Sequence, residues 1–232
     1  MSGRVGSITT EIITDGLVFN MDAANRASYI NGNTTAFNTV NLSQSGSLES
    51  GAAFSSENQG IFTFDGVDER ILLNTTMDDT FTTLYWSVDV WWNTNGNNSY
   101  DAILGNGYPV QLYKQGSKIR SWLSSNAGSA NYFLTNMTST QDISVNTWYH
   151  LIWIRDNTNY YYYINGILDQ TATSATTAAA AANVNFNIGN LWNTSNAYTW
   201  DGEIGPVHIY NRALSSTEVL HNYNALKSRF GL

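Results

Sequence analysis

The chain has 232 residues, with 18 acidic against 10 basic side chains and a formal net charge of −8 at neutral pH. Ten Lys and Arg spread this thinly give no basic stripe for a phosphate backbone, so nucleic acid is excluded as an expected partner. The absence of Cys removes disulfide frameworks, Cys-ligated zinc and thiol catalysis, and no apolar run approaches the ~18 residues of a membrane span. Charged residues reach only 12%, and 29 Asn and 25 Thr supply the polarity instead, residue types that favour turns and strands over helices.

The opening MSGRVGSITTEIITDG lacks the apolar core of a secretory signal, and residues 1–14 read as an N-terminal arm ahead of one domain over 15–232. Period-2 alternation then recurs along the chain. Leu17, Phe19 and Met21 share one face, and Phe62 and Phe64 alternate around Thr63 before an Asp65-Gly66 turn. In LYWSVDVWW, Trp86, Val88, Val90 and Trp92 face one way, opposite Tyr85, Ser87, Asp89 and Trp91. Val110 and Leu112 lead to a Gln115-Gly116-Ser117 turn and a return strand through Ile119 and Trp122-Leu123. Trp148, His150, Ile152 and Ile154 oppose Tyr149, Leu151, Trp153 and Arg155. Tyr160 to Ile164 runs back, and Asn165-Gly166 predicts a type I′ hairpin into a third strand. The alanines from Ala178 to Ala182 lack caps and read as a loop. NVNFNIG and Glu203 to Tyr210 are the remaining strands, with Pro109 and Pro206 placed at strand starts or edges. One helix follows: Ser215 and Glu218 form a capping box, Leu214 and Val219 a hydrophobic staple, and Val219, Tyr223 and Leu226 an apolar stripe. The expectation is an all-β fold, an antiparallel β-sandwich (jelly roll) with one short C-terminal amphipathic helix docked on a sheet.

Several segments carry a family resemblance: FDGVDERILL, NTWYHLIWIRDN with YYYINGILDQT, NIGN, and the closing WDGEIGPVHIYNRALSSTEVLHNYNALKSRFGL. Together they resemble the LamG-like branch of the concanavalin A-like lectin/glucanase superfamily, of the stand-alone type carried by tailed bacteriophages. The resemblance runs from about Asp15 to Leu232 and implies two large antiparallel sheets. It implies no single activity, since the fold hosts lectins, glycosidases, adhesion modules and virion proteins.

Catalysis has little to work with. The glucanase branch presents Glu-x-Asp-x-x-Glu on one strand, and none of the six Glu here has Asp two residues onward. His150, His208 and His221 lie apart, without a GxSxG or HxxxH context. The chain is therefore expected to be no enzyme. Calcium is weighed against ordinary turn chemistry at Asp65 and Asp68, which the family's rim loops suggest as metal ligands. Glycan recognition stacks aromatic faces on sugar rings and uses amides for hydroxyls. Asn95, Asn98 and Tyr100 in one loop, and Trp192, Asn193 and Tyr198 in another, are the candidates for glycan or partner binding at the rim. Tyr160 to Tyr163 put two rings on each face. One pair is buried, and the other is either an adhesive patch or the seat of the helix. These readings lead to two expectations. The first is an accessory bacteriophage virion protein, decorating the capsid or another particle surface through contacts with neighbouring virion proteins. The second is a lectin-like adhesin or tail receptor-binding module contacting host surface glycans, with or without calcium.

Overall fold

A computed structural model describes residues 11–96, 100–128, 137–181, 184–192 and 198–232. Its elements in chain order are β1 (Leu17–Met21), β2 (Thr35–Phe37), β3 (Ser45–Glu49), β4 (Ala53–Ser55), β5 (Ile61–Asp65), β6 (Arg70–Leu73), the single-turn helix α1 (Asp78–Phe81) and β7 (Tyr85–Thr94). There follow β8 (Asp101–Gly105), β9 (Val110–Gln115), β10 (Lys118–Leu123), β11 (Met137–Thr138), β12 (Trp148–Asp156), β13 (Asn159–Ile164), β14 (Ile167–Thr173), β15 (Asn187–Ile188), β16 (Asp201–Tyr210) and α2 (Ser216–Leu226).

The strands form two antiparallel sheets facing one another, as expected. Sheet A runs β14-β13-β12-β7-β16-β5-β4, with β1 also paired to β16. Sheet B runs β11-β10-β9-β8-β15-β6-β3-β2. β16 is central: β7 lies along one side, while β5 covers its first half and β1 its second half on the other. Pro206 therefore sits inside a central strand, not at an edge. It is tolerated because the register slips between Ile204 and Val207, where β5 has ended and β1 is just beginning.

Alternation fills the space between the sheets. Trp86, Val88, Val90 and Trp92 of β7 and Leu151 and Trp153 of β12 meet Ile71, Leu104, Leu112, Ile119 and Leu123 of sheet B in one buried cluster. The Trp86 and Trp153 rings meet edge-on at 4.7 Å, and Trp92 and Trp200 at 5.6 Å, the arrangement their quadrupoles favour. In β1 the alternation breaks. A bulge between Leu17 and Phe19 sends Phe19 and Met21 inward, while Leu17 packs on the helix side. In β12 the alternation holds: Trp148 shares the helix side with His150, Ile152 and Ile154 and packs beside Phe230, ring centroids 4.5 Å apart. The NVNFNIG strand shortens to two residues.

Helix α2 starts as the sequence predicts. The Ser215 hydroxyl accepts from Glu218 N at 3.3 Å, and Glu218 Oε2 accepts from Ser215 N at 2.8 Å. Arg212 clamps the same carboxylate at 2.6 Å and holds it down to about 2. The helix lies on the outer face of sheet A. Val219 and Leu214 pack on Ile152, Ile154 and Tyr210, and Tyr223 and Leu226 flank Trp91 and Phe230. Tyr161 and Tyr163 are half-buried in this helix-side cluster, whereas Tyr160 and Tyr162 are core. The aromatic run thus seats the helix cluster and is not an open adhesive patch. Of the N-terminal arm, residues 1–10 lie outside the described residues. The Ile13 amide donates to Asn222 Oδ1 at 2.8 Å and the Ile13 carbonyl accepts from Tyr210 Oη at 2.9 Å, tying that segment to α2 and β16.

Candidate functional site

Sheet B carries no helix on its outer face among the described residues. There the alternation that sends Val110, Leu112, Ile119 and Leu123 inward sends Gln111, Tyr113, Arg120 and Trp122 outward. The register sets Tyr113 between Ala102 and Arg120, and Gln111 opposite Trp122. Tyr113 is the buried floor. Trp122 meets it edge-on at 5.4 Å, Tyr100 lies 5.8 Å away, and Tyr198 meets Tyr100 edge-on at 5.7 Å. Trp192 joins the same cluster through Leu191 and meets Tyr108 edge-on at 4.8 Å.

Local chemistry fixes these rings. Gly107 has φ +78°, and a Cβ there would fall 2.8 Å from the Trp192 ring, so glycine is what lets the indole lie over this turn. Asn190 Oδ1 accepts from the amides of Leu191 and Trp192 at 2.7 and 3.1 Å, and Arg70 donates to the Trp192 carbonyl at 3.0 Å while paired with Glu49 at 2.9 Å. At the Tyr100 end, Lys114 and Asp101 form a fully buried ion pair at 2.9 Å, and Lys114 also donates to the Gly96 carbonyl at 2.9 Å. Tyr100, Tyr108, Trp122, Trp192 and Tyr198 are each half-buried, so each keeps part of its ring available.

The structure thus brings together Tyr100, Trp192 and Tyr198 from two loops far apart in the chain. Asn95 goes elsewhere: its amide donates to the Asp201 carbonyl at 3.0 Å and its side chain reaches Glu203 at 3.5 Å. Asn98 and Asn193 lie outside the described residues. Tyr108, Tyr113 and Trp122 were not singled out in the sequence. The signal that marks two of them is the outward register of the hairpin around Gly116, where Gln111, Tyr113, Arg120 and Trp122 alternate with core positions.

The Asp65 and Asp68 segment is built as a turn. Asp65 Oδ1 accepts from Val67 N at 2.8 Å, the Asp65 amide donates to Glu69, and no cluster of three His, Cys, Asp or Glu able to hold a metal occurs among the described residues. Burial pushes the Glu69 carboxyl up to about 7, helped by the neighbouring Asp65 and Asp68 charges against the Asp65 amide bond. Two further carboxyls share one face of β16. Burial raises Asp201, with Lys114 opposing, and raises Glu203, with the Asn95 hydrogen bond opposing. They stand side by side at i and i+2 of one strand, but in the order Asp-x-Glu and with Pro206 where the Glu-x-Asp-x-x-Glu pattern has its last acid.

Two of the three histidines, His150 and His208, converge on the other face, while His221 reaches the Glu11 carbonyl at 2.7 Å. Asp89 is fully buried, with His150 Nε2 at 3.0 Å and His208 Nδ1 at 3.4 Å from Oδ1, and Asn222 donating to Oδ2 at 2.8 Å. Burial alone would raise this carboxyl, but the two imidazoles outweigh it and hold it well below the usual carboxylate range. Asn222 also donates to Tyr210 Oη at 3.0 Å, so the cluster joins β7, β12, β16 and α2. No Ser or Thr hydroxyl stands in it among the described residues, and the Tyr210 hydroxyl is committed as a donor to the Ile13 carbonyl.

Solved structures share this architecture. The Trypanosoma rangeli sialidase in complex with 2,3-difluorosialic acid superposes with a TM-score of 0.66 at 16% identity, over 94% of this chain and 34% of that one. Domain 4 of AbnA, a GH43 extracellular arabinanase from Geobacillus stearothermophilus in complex with arabinotriose, gives 0.64 at 17% identity, over 90% of this chain and 98% of that one. The binding domain of botulinum neurotoxin serotype D gives 0.64 at 14%, over 90% and 52%. The chain spans about a third of the sialidase's length. No curated protein matches by sequence. Residues 65–220 match a laminin G family described as concanavalin A-like lectin/glucanases superfamily. That match covers well over half of the sequence, and the chain belongs to the concanavalin A-like lectin/glucanase superfamily.

Proposed function

We propose that this protein is a non-catalytic carbohydrate-binding β-sandwich whose ligand lies on the outer face of sheet B. The observation that carries the reading is the set of five half-buried rings, Tyr100, Tyr108, Trp122, Trp192 and Tyr198, over a face that no helix covers among the described residues. Aromatic faces and edges suit the apolar faces of pyranose or furanose rings, and the Gln111 carboxamide, bonded to the Gly107 carbonyl at 2.9 Å, adds amide chemistry to the floor. Two of the similar structures hold sugars, arabinotriose in one and a sialic acid derivative in the other, which supports a sugar ligand here. A glycan array probed with the wild-type protein and with Trp122→Ala tests this. Selective hits that vanish in the variant are expected, and an array without selective hits overturns the reading. EGTA is expected to leave the hits unchanged, because Asp65 is committed to its turn; loss of signal in EGTA would return Asp65 and Asp68 to ligand duty.

A second reading is a bacteriophage particle-surface protein that works by protein contact. It is favoured by the exposed Ile167 (72%), Leu168 (49%) and Leu220 (48%), which gather beside the Asn165-Gly166 turn where α2 packs. In that reading Ile167→Asp abolishes attachment to particles and leaves the array hits intact; attachment unaffected by the substitution sinks it.

A further inference from the structure

The open face carries a charge that nothing among the described residues answers. Arg120 projects outward from β10 between Lys118 and Trp122, directly across from Tyr113 in the strand register. The other cations on this face are paired: Arg70 with Glu49 at 2.9 Å and Lys118 with Asp142 at 3.1 Å. Arg120 has neither an ion pair nor a side-chain hydrogen bond among the described residues, and its Nε is buried without a partner. Beyond the Asp142 already paired with Lys118, the two loops that flank the cluster add no counter-charge. Residues 124–136, which join β10 to β11, contain no Asp or Glu, and neither do residues 184–200, which carry the Trp192 and Tyr198 side of the cluster.

A guanidinium Nε closed off from water without a hydrogen bond forfeits solvation that nothing returns, so a chain of net charge −8 leaves an unusual group unanswered among its described residues. Its planar fork matches a carboxylate through two parallel hydrogen bonds. Cross-strand neighbours on one face lie about 5 Å apart at Cβ, and i, i+2 neighbours about 7 Å. A carboxylate on Arg120 therefore places the sugar ring that bears it over Tyr113 and against Trp122.

We propose that Arg120 makes this face selective for acidic glycans, those bearing a sugar carboxylate, by pairing with that carboxylate while Trp122 holds the ring. The inference rests on the carbohydrate-binding reading and adds the ligand class to it. The shared chemistry is the carboxylate, which either a uronic acid or a sialic acid supplies.

The experiment is a calorimetric titration at low ionic strength with tetragalacturonate and with 3′-sialyllactose, each beside its methyl ester, which keeps the rings and removes the charge. At least one acid is expected to bind tenfold or more tightly than its own ester, and the acid that does so identifies the source. Arg120→Gln is expected to erase that ratio and leave ester affinity unchanged, whereas Trp122→Ala weakens acid and ester alike. Added salt is expected to shrink the acid–ester ratio. An acid–ester ratio near one, or a ratio that survives in Arg120→Gln, overturns the inference. If either result comes with ester binding that Trp122→Ala abolishes, the carbohydrate reading stands and only the acidic selectivity falls. Absence of binding to all four probes overturns the selectivity, and the array then decides the broader reading separately. Arg120 is outward and partly exposed, so near-UV circular dichroism of Arg120→Gln is expected to match the wild type.

Discussion

The two outer faces of the sandwich follow the same alternation and meet opposite fates. On sheet A the outward residues include Asp89, Trp91, His150, Ile152, Ile154 and Tyr210, and all of them are buried beneath α2 and the chain that follows it. On sheet B the outward residues are Gln111, Tyr113, Arg120 and Trp122, and no helix lies over them among the described residues. The difference is in what each set requires. Ile, Trp and a carboxylate shared by two imidazoles need cover, since an apolar stripe or a solvated ion pair is worth little to stability at a surface. Tyr, Trp and Arg have an apolar body with a polar end, and such side chains tolerate water until a ligand displaces it. One face serves stability, and the other is the one proposed for recognition.

Four measurements sharpen or break this division. Asp89→Ala has the largest expected effect. It strands the donors of His150 and Asn222 in a buried site, at a cost of about 3–5 kcal/mol, read by urea unfolding. Folded protein at low temperature is expected to keep its array hits, and coupled loss of both properties would erase the contrast between the faces. Trp122→Ala is the mirror case. It is expected to cost about 2 kcal/mol of binding, in the manner of an interface anchor, while its unfolding midpoint changes little. Ser215→Ala removes the cap of α2 and is expected to cost about 1 kcal/mol of stability, with sugar binding unchanged.

The smallest effect is a pH dependence at Glu69. Its carboxyl sits above its ordinary value, at about 7, so the folded state binds the proton more tightly than the unfolded chain does. Its stability contribution is present in full below the unfolded value and is lost as pH rises from about 4.5 to about 7. Glu69→Gln, which retains an oxygen to accept from the Asp65 amide, is expected to melt above the wild type at pH 8 and to show a flatter profile over that window. An identical profile would mean that the folded state does not hold this proton. Glu218 does not confound the measurement. Held down to about 2, chiefly by its hydrogen bonds from Arg212, it loses its contribution only as pH falls below about 4.5.

What the sequence made legible was local. The faces of β7 and β12 follow from a period of two. The Asn165-Gly166 turn has φ of +51° and +78° at its two positions, as a type I′ turn demands. The capping box at Ser215 needs residues only three apart. The contents of the open face were half legible. Tyr100, Trp192 and Tyr198 stand out as loop aromatics, but their floor, Tyr113 and Trp122, read as ordinary strand residues until the register of three strands was known. The Asp89 cluster was illegible for the same reason: its members come from β7, β12, β16 and α2, and only their pairing makes them neighbours. Asn95 misled because its backbone and side-chain amides are taken up by Asp201 and Glu203 of β16, more than a hundred residues away in sequence.

The placement of β16 has a kinetic consequence. It is an interior strand of sheet A, yet it follows every other strand of that sheet in sequence, and β1, which precedes them all, pairs there with β16 alone. A nascent chain that has made β7 and β5 holds both with a vacancy between them, and the loop that β1 must finally close contains every strand from β2 to β15. Closure of so long a loop is slow, so sheet A is expected to be completed only after β16 has emerged, later than sheet B. Sheet B, complete in sequence by β15, is free to take shape first, and the face with the aromatic rings then exists before the face with the helix does.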